Sequence, residues 1–146
     1  MNRLRTQVCI PQIMILAMFV LLAVGVGHGQ SRAKVTIPFN FSVDAQRFSA
    51  GEYTVEPLSN FPRLIVLRNE RGQALMVWTN RVESKEAPNS AKLVFNQYGG
   101  HYFLAQIWEA KNDAGRQLTK SHAEIEMAKE QQSPGQQIAL NLAAPH

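Results

Sequence analysis

The sequence predicts an all-β fold, an antiparallel β-sandwich or small barrel with one short C-terminal helix. Three observations predict it. Val35, Ile37, Phe39 and Phe41 occupy alternate positions, the period of a strand with one buried face. Residues 92–108, KLVFNQYGGHYFLAQIW, read as two strands joined at Gly99-Gly100, and they hold Phe95, Tyr98, Tyr102, Phe103 and Trp108. Turn residues recur along the rest of the chain, with no alternation of strands and long helices to suggest a parallel sheet.

Residues 1–29 have the pattern of an export signal. Arg3 and Arg5 precede an apolar run over 13–26, and Gly27-His28-Gly29 supplies small residues for cleavage before Gln30. Cleavage after Gly25 is a second option. Retention as an N-terminal anchor is a third, because the apolar run is almost long enough to span a bilayer. Cleavage would remove Cys9, the one cysteine, so the mature domain would form no disulfide. It would also lower Lys plus Arg from 15 to 13 against 11 acids. That small excess, with no basic cluster among aromatics, gives no footing for nucleic acid. The expected organisation is a signal peptide over 1–29, one β-rich domain over 30–132, and a disordered tail over 133–146, with a strand anchored by Ile138, Leu140 and Leu142 as the alternative for the tail.

The first strand candidate is 33–42. Pro38 has no N–H for a ladder, so this strand should lie at an edge or carry a bulge. Asp44-Ala45-Gln46 turns the chain, and Phe48 returns to the core. Residues 52–58 form a strand with Tyr53 and Val55 on one face, and 59–62 a loop. The apolar run at 64–67 reads as a buried strand. Asn69-Glu70-Arg71-Gly72 then makes a turn into a strand at 74–79. A polar loop over 81–90 leads to the 92–108 hairpin.

In that hairpin Gly-Gly suits a tight primed turn. A two-residue loop would pair Tyr98 with His101, Asn96 with Phe103, Phe95 with Leu104 and Val94 with Ala105. A turn-rich cluster at 111–115 follows. Ser121-His122-Ala123-Glu124 fits a capping box, with a helix through 129–132. The apolar face of that helix is thin: Leu118, Ile125 and Ala128. Ser133-Pro134-Gly135 stops it.

The segments VTIPFNFSV (35–43), SAGEYTV (49–55), KLVFNQYGGHYFLAQIW and Gly115-Arg116 through Glu124 resemble a set of small exported bacterial proteins, mainly of acidobacterial type. The resemblance covers residues 35 to about 129. It implies export and a shared domain, and it implies no activity.

Motifs for common enzyme chemistry are missing from the sequence. There is no GxSxG, HExxH or GxxxxGK[ST]. His101, His122 and His146 have no metal-ligand spacing. Glu83 and Glu86 lie in a polar loop, and Glu124 and Glu126 are two apart on a helix, so neither pair points to acid/base work. The expectation is therefore a non-enzyme with no catalytic residue, metal or cofactor, with a hydrolase whose site matches no familiar motif as a further alternative. It would be secreted or periplasmic, with no membrane span after signal cleavage. Its partner would be an envelope protein or a second copy of itself. The alternative is a small carbohydrate- or lipid-binding module that stacks a glycan on exposed rings. The candidate ligand-binding residues are Tyr98 and Tyr102 beside the turn, with Trp78 and Trp108. Core packing is the competing role for the two tryptophans.

Overall fold

A computed structural model of the protein describes residues 33–58, 60–132 and 135–143. The proposed signal segment and its cleavage sites lie outside them. The alternation from Val35 becomes two strands rather than one. β1 (Ala33–Ile37) stops at Pro38, and β2 (Phe41–Val43) resumes after Asn40. Asp44 turns the chain at φ 54° into β3 (Gln46–Phe48). A meander follows, with β4 (Gly51–Leu58), β5 (Phe61–Asn69) and β6 (Ala74–Glu83). Both β5 and β6 run further than the apolar residues alone suggest. The expected loop at 59–62 gives way to strand from Phe61, and β6 reaches into the expected loop at 81–90. In the β5–β6 turn the Gly72 N–H donates to the Asn69 carbonyl at 3.1 Å.

β7 (Lys92–Tyr98) and β8 (His101–Trp108) form the expected hairpin. Gly99 has φ 59°, and Gly100 has no positive φ, so the turn asks for glycine at its first central position. Tyr98 pairs with His101, Asn96 with Phe103 and Phe95 with Leu104. Val94 pairs with Gln106, not Ala105, because a bulge at Ala105 shifts the register. β9 (Ala114–Leu118) was not legible as a strand: turn residues occupy its start. α1 (His122–Glu130) and β10 (Gln136–Asn141) complete the chain.

The strands run in the order β1-β4-β5-β6-β9-β8-β2-β3, and β7 pairs with both β8 and β10. Every pairing of these strands is antiparallel except the short parallel contact of β2 with β8 at Ser42 and Phe103. β6 joins two parts of this mixed sheet. Its residues 74–78 pair with β5, and its residues 79–83 pair with β9. One isolated bridge, Lys34 to Ala143, connects β1 to the chain beyond β10. Among the described residues the fold is all-β with a single short helix.

Side chains from β1, β4 and β5 meet those from β2, β3, β7, β8 and β9 in one core. Phe41 sits at its centre, 5.5 Å from Phe48, 5.1 Å from Tyr53 and 5.5 Å from Phe95 between ring centroids. Each such pair contributes about 0.5–1.5 kcal/mol beyond area burial. An aromatic centre of this kind suits a domain expected to lack disulfides.

The helix departs from expectation in how it docks. The Ser121 hydroxyl accepts from the Glu124 N–H at 3.2 Å, the first half of a capping box. The Glu124 side chain does not reach back. It is buried against β7, where it accepts from Asn96 Nδ2 at 2.7 Å and from Tyr98 Oη at 3.4 Å. Ile125 is 39% exposed, and Leu118 belongs to β9. A buried polar contact therefore holds α1 to the sheet where an apolar face was expected.

The tail is corrected as well. Residues 136–141 pair with 92–97 of β7 along the whole of β10, and Leu140 packs against the core. The pattern of Ile138, Leu140 and Leu142 is a strand with one face half-buried. The remainder of the expected tail, 133–134 and 144–146, lies outside the described residues. No helix among the described residues is long and apolar enough to cross a membrane.

Candidate functional site

The four aromatic candidates do not come together. Tyr98 is fully buried, lying under α1 with Phe103 at 6.0 Å and the Lys120 ammonium donating to its oxygen at 3.2 Å. Tyr102 is half-buried on the opposite side of the hairpin. Its ring stacks on Phe39, with centroids 3.9 Å apart and planes at 15°. Trp108 is buried, and its indole N–H donates to Gln106 Oε1 at 3.0 Å. A Cβ added to Gly115 would lie 2.6 Å from the Trp108 ring, so one face of that indole is packed directly on backbone. Three of the four rings are thus engaged in packing.

Trp78 is different: it is 65% exposed. On β6 the side chains of Leu75, Val77 and Thr79 turn inward, so Met76 and Trp78 turn outward. Met76 is also 65% exposed. Register places Trp78 opposite Leu64 and Met76 opposite Val66, both half-buried on the same outer face of β5. Directly opposed residues of adjacent strands have Cβ atoms about 4.5–5.5 Å apart, so the four make one continuous apolar surface.

Ala74 continues the β6 row, and polar side chains border it. β4 contributes Glu52, Thr54 and Glu56, and β1 contributes Lys34. Lys34 and Glu52 pair at 3.0 Å, and the hydrogen bond to Glu52 holds the Lys34 amine above its ordinary value. Arg68 continues the β5 row beyond Val66. An apolar centre with a charged border is the anatomy of a contact surface.

A second feature is a shallow groove of about 520 Å³ on the outer side of β7, β8 and β10. Asn89, Lys92, Gln106, Trp108 and Gln137 are among the residues that line it. Its amide-rich wall could hydrogen-bond polar ligands. Among the described residues no group of three or more His, Cys, Asp or Glu side chains stands together to hold a metal ion. Comparison with family models, curated proteins and solved structures gives no match.

Proposed function

We propose that the protein is an exported, non-enzymatic β-domain of the periplasm or the cell exterior that works by binding another protein. The partner is an envelope protein or a second copy of itself, and the contact surface is the outer face of β5 and β6. The observation that carries this reading is the exposure of Met76 and Trp78, each 65%, over Leu64 and Val66. Trp and Met are enriched at protein interfaces, and a contiguous apolar centre with a polar rim is where binding energy concentrates.

A second reading is glycan binding, with Trp78 as the stacking ring. It is favoured by the flat, accessible indole and by polar Asn80 and Arg68 on the same strands. Immobilised wild-type protein and its Trp78→Ala variant, each exposed to envelope extract, separate the two. Loss of a specific protein from the variant supports the first reading. Loss of a glycan supports the second. Identical retention by both proteins contradicts both.

A further inference from the structure

Three neighbouring strands carry an arginine two residues from the same end of the sheet, in phase with their core residues, before the strands finish at Phe61, Glu83 and Ala114. On β5 the inward row runs Leu67, Ile65, Arg63. On β6 it runs Leu75, Val77, Thr79, Arg81, and on β9 Leu118, Arg116. Register sets Thr79 opposite Leu118 and Arg81 opposite Arg116. On its other side Arg116 lies opposite Ile107, a core residue of β8. The three arginines line one pocket of about 290 Å³, together with Thr79, Glu109 and Asn112.

The charges in this pocket are unbalanced. Like charges directly opposed across a ladder repel, and Arg81 and Arg116 are so opposed. Arg81 has the exposed Glu83 carboxylate at 3.3 Å. Arg63 donates to the Thr79 carbonyl at 3.3 Å and to Asn80 Oδ1 at 2.8 Å, which fixes its guanidinium and leaves other N–H groups unused. Arg116 is half-buried, and its side chain makes no hydrogen bond or ion pair among the described residues. Among the described residues Glu109 is the one carboxylate in the lining, and one of its oxygens accepts from Asn112 Nδ2 at 3.3 Å. Arg63 and Arg81 are exposed at this end of their strands, and of the three only Arg116 is half-buried. Three guanidinium groups there make a concave, positively charged end to the sheet.

We propose that this pocket binds the oxyanion of a small molecule, a phosphate, sulfate or carboxylate group, with Arg116 as the principal ligand and Arg63 and Arg81 beside it. The planar fork of guanidinium donors matches such oxygens in pairs. The volume is at the low end for ligand pockets, which run from about 300 Å³, so the ligand is compact. The site is centred on the opposite side of the sheet from Met76 and Trp78, and Arg63, held by Asn80, stands at the boundary between the two.

The test titrates protein produced from the full 146-residue chain with inorganic phosphate, sulfate and glucuronate in turn, at constant ionic strength with chloride as the reference. Amide NMR shifts are the readout. At least one anion saturates below roughly 20 mM and moves the amides of Arg81, Gly115 and Arg116. The saturating anion names the group. Arg116→Gln weakens binding by about tenfold or more, the loss of a charge-assisted contact. Arg116→Lys keeps the charge and stem, folds in the wild-type manner and still weakens binding, because the fork is gone. Arg71→Gln, a charge lost from the β5–β6 turn at the far end of both strands, leaves binding unchanged. The proposal is overturned if no anion saturates, or if folded Arg116→Gln and Arg116→Lys both bind as tightly as wild type.

Discussion

Asn96 and Glu124 are 28 residues apart in sequence, and a 2.7 Å hydrogen bond joins their side chains beneath the helix. The same carboxylate oxygen accepts from Tyr98 at 3.4 Å. This cluster is the attachment of α1 to the sheet. Glu124→Ala leaves the Asn96 amide and the Tyr98 hydroxyl buried without this acceptor, and the expected loss is about 2–3 kcal/mol in urea unfolding. A double-mutant cycle with Asn96→Ala should return a coupling of about 1–2 kcal/mol. Additive losses would mean that the pair does not hold the helix.

Gly115 and Trp108 form a second close contact. The absent side chain of Gly115 makes room for the indole, and a methyl there would meet ring atoms at 2.6–2.8 Å. Gly115→Ala should destabilise the domain by about 1–3 kcal/mol and shift the Trp108 emission to the red as the ring moves toward water. Unchanged stability and emission would show that β9 yields freely.

Tyr53 predicts a response at alkaline pH. Burial pushes its phenol above the ordinary value of 10.0, with Asn69 and Arg71 opposing in part. The folded state therefore favours the neutral phenol more than the unfolded chain does. That stabilisation is complete below pH 10.0 and is lost as pH rises through the higher folded value. Its hydroxyl also donates to the Ser49 carbonyl at 2.6 Å. Tyr53→Phe should cost about 1 kcal/mol at neutral pH. Between about pH 9 and pH 11 its urea midpoint should fall less than that of wild type. Parallel declines would remove Tyr53 from the alkaline transition.

The two tryptophans should behave oppositely toward iodide. Trp108→Phe retains the exposed Trp78 and should be quenched strongly. Trp78→Phe retains the buried Trp108 and should be quenched weakly. Similar quenching in both variants would contradict the assignment of outward and inward faces on β6.

The hairpin, the turn at Asn69–Gly72 and the helix start were legible because glycine, turn residues and a cap act locally. Alternation identified Val35, Ile37, Tyr53 and Val55 as core for the same reason. β9 was hidden because Ala114 and Gly115 carry no strand signal, and its place is set by pairing with β6 and β8. β10 was legible only as the alternative to a disordered tail, because its pattern is sparse and β7 supplies its ladder. Glu124 looked like half of a local cap, and only the sheet offered it Asn96 and Tyr98. Apolar residues occupy both phases of residues 74–79, so the sequence could not say whether Trp78 faced in or out. The three arginines did carry a signal. Arg63 is in phase with Ile65 and Leu67, and Arg116 with Leu118, but only register brings them to one pocket.

The most direct measurement places a photo-crosslinking residue at position 76 of the full chain, in the cells that make it, and repeats the experiment with Trp78→Ala added. The account predicts one discrete protein adduct from position 76, at twice the chain's mass for self-association or at another defined mass for an envelope partner. Trp78→Ala should reduce it by about thirtyfold, the effect of losing roughly 2 kcal/mol at an interface anchor. No adduct, or an adduct that Trp78→Ala leaves at full yield, would contradict the outer face of β5 and β6 as a protein-binding surface.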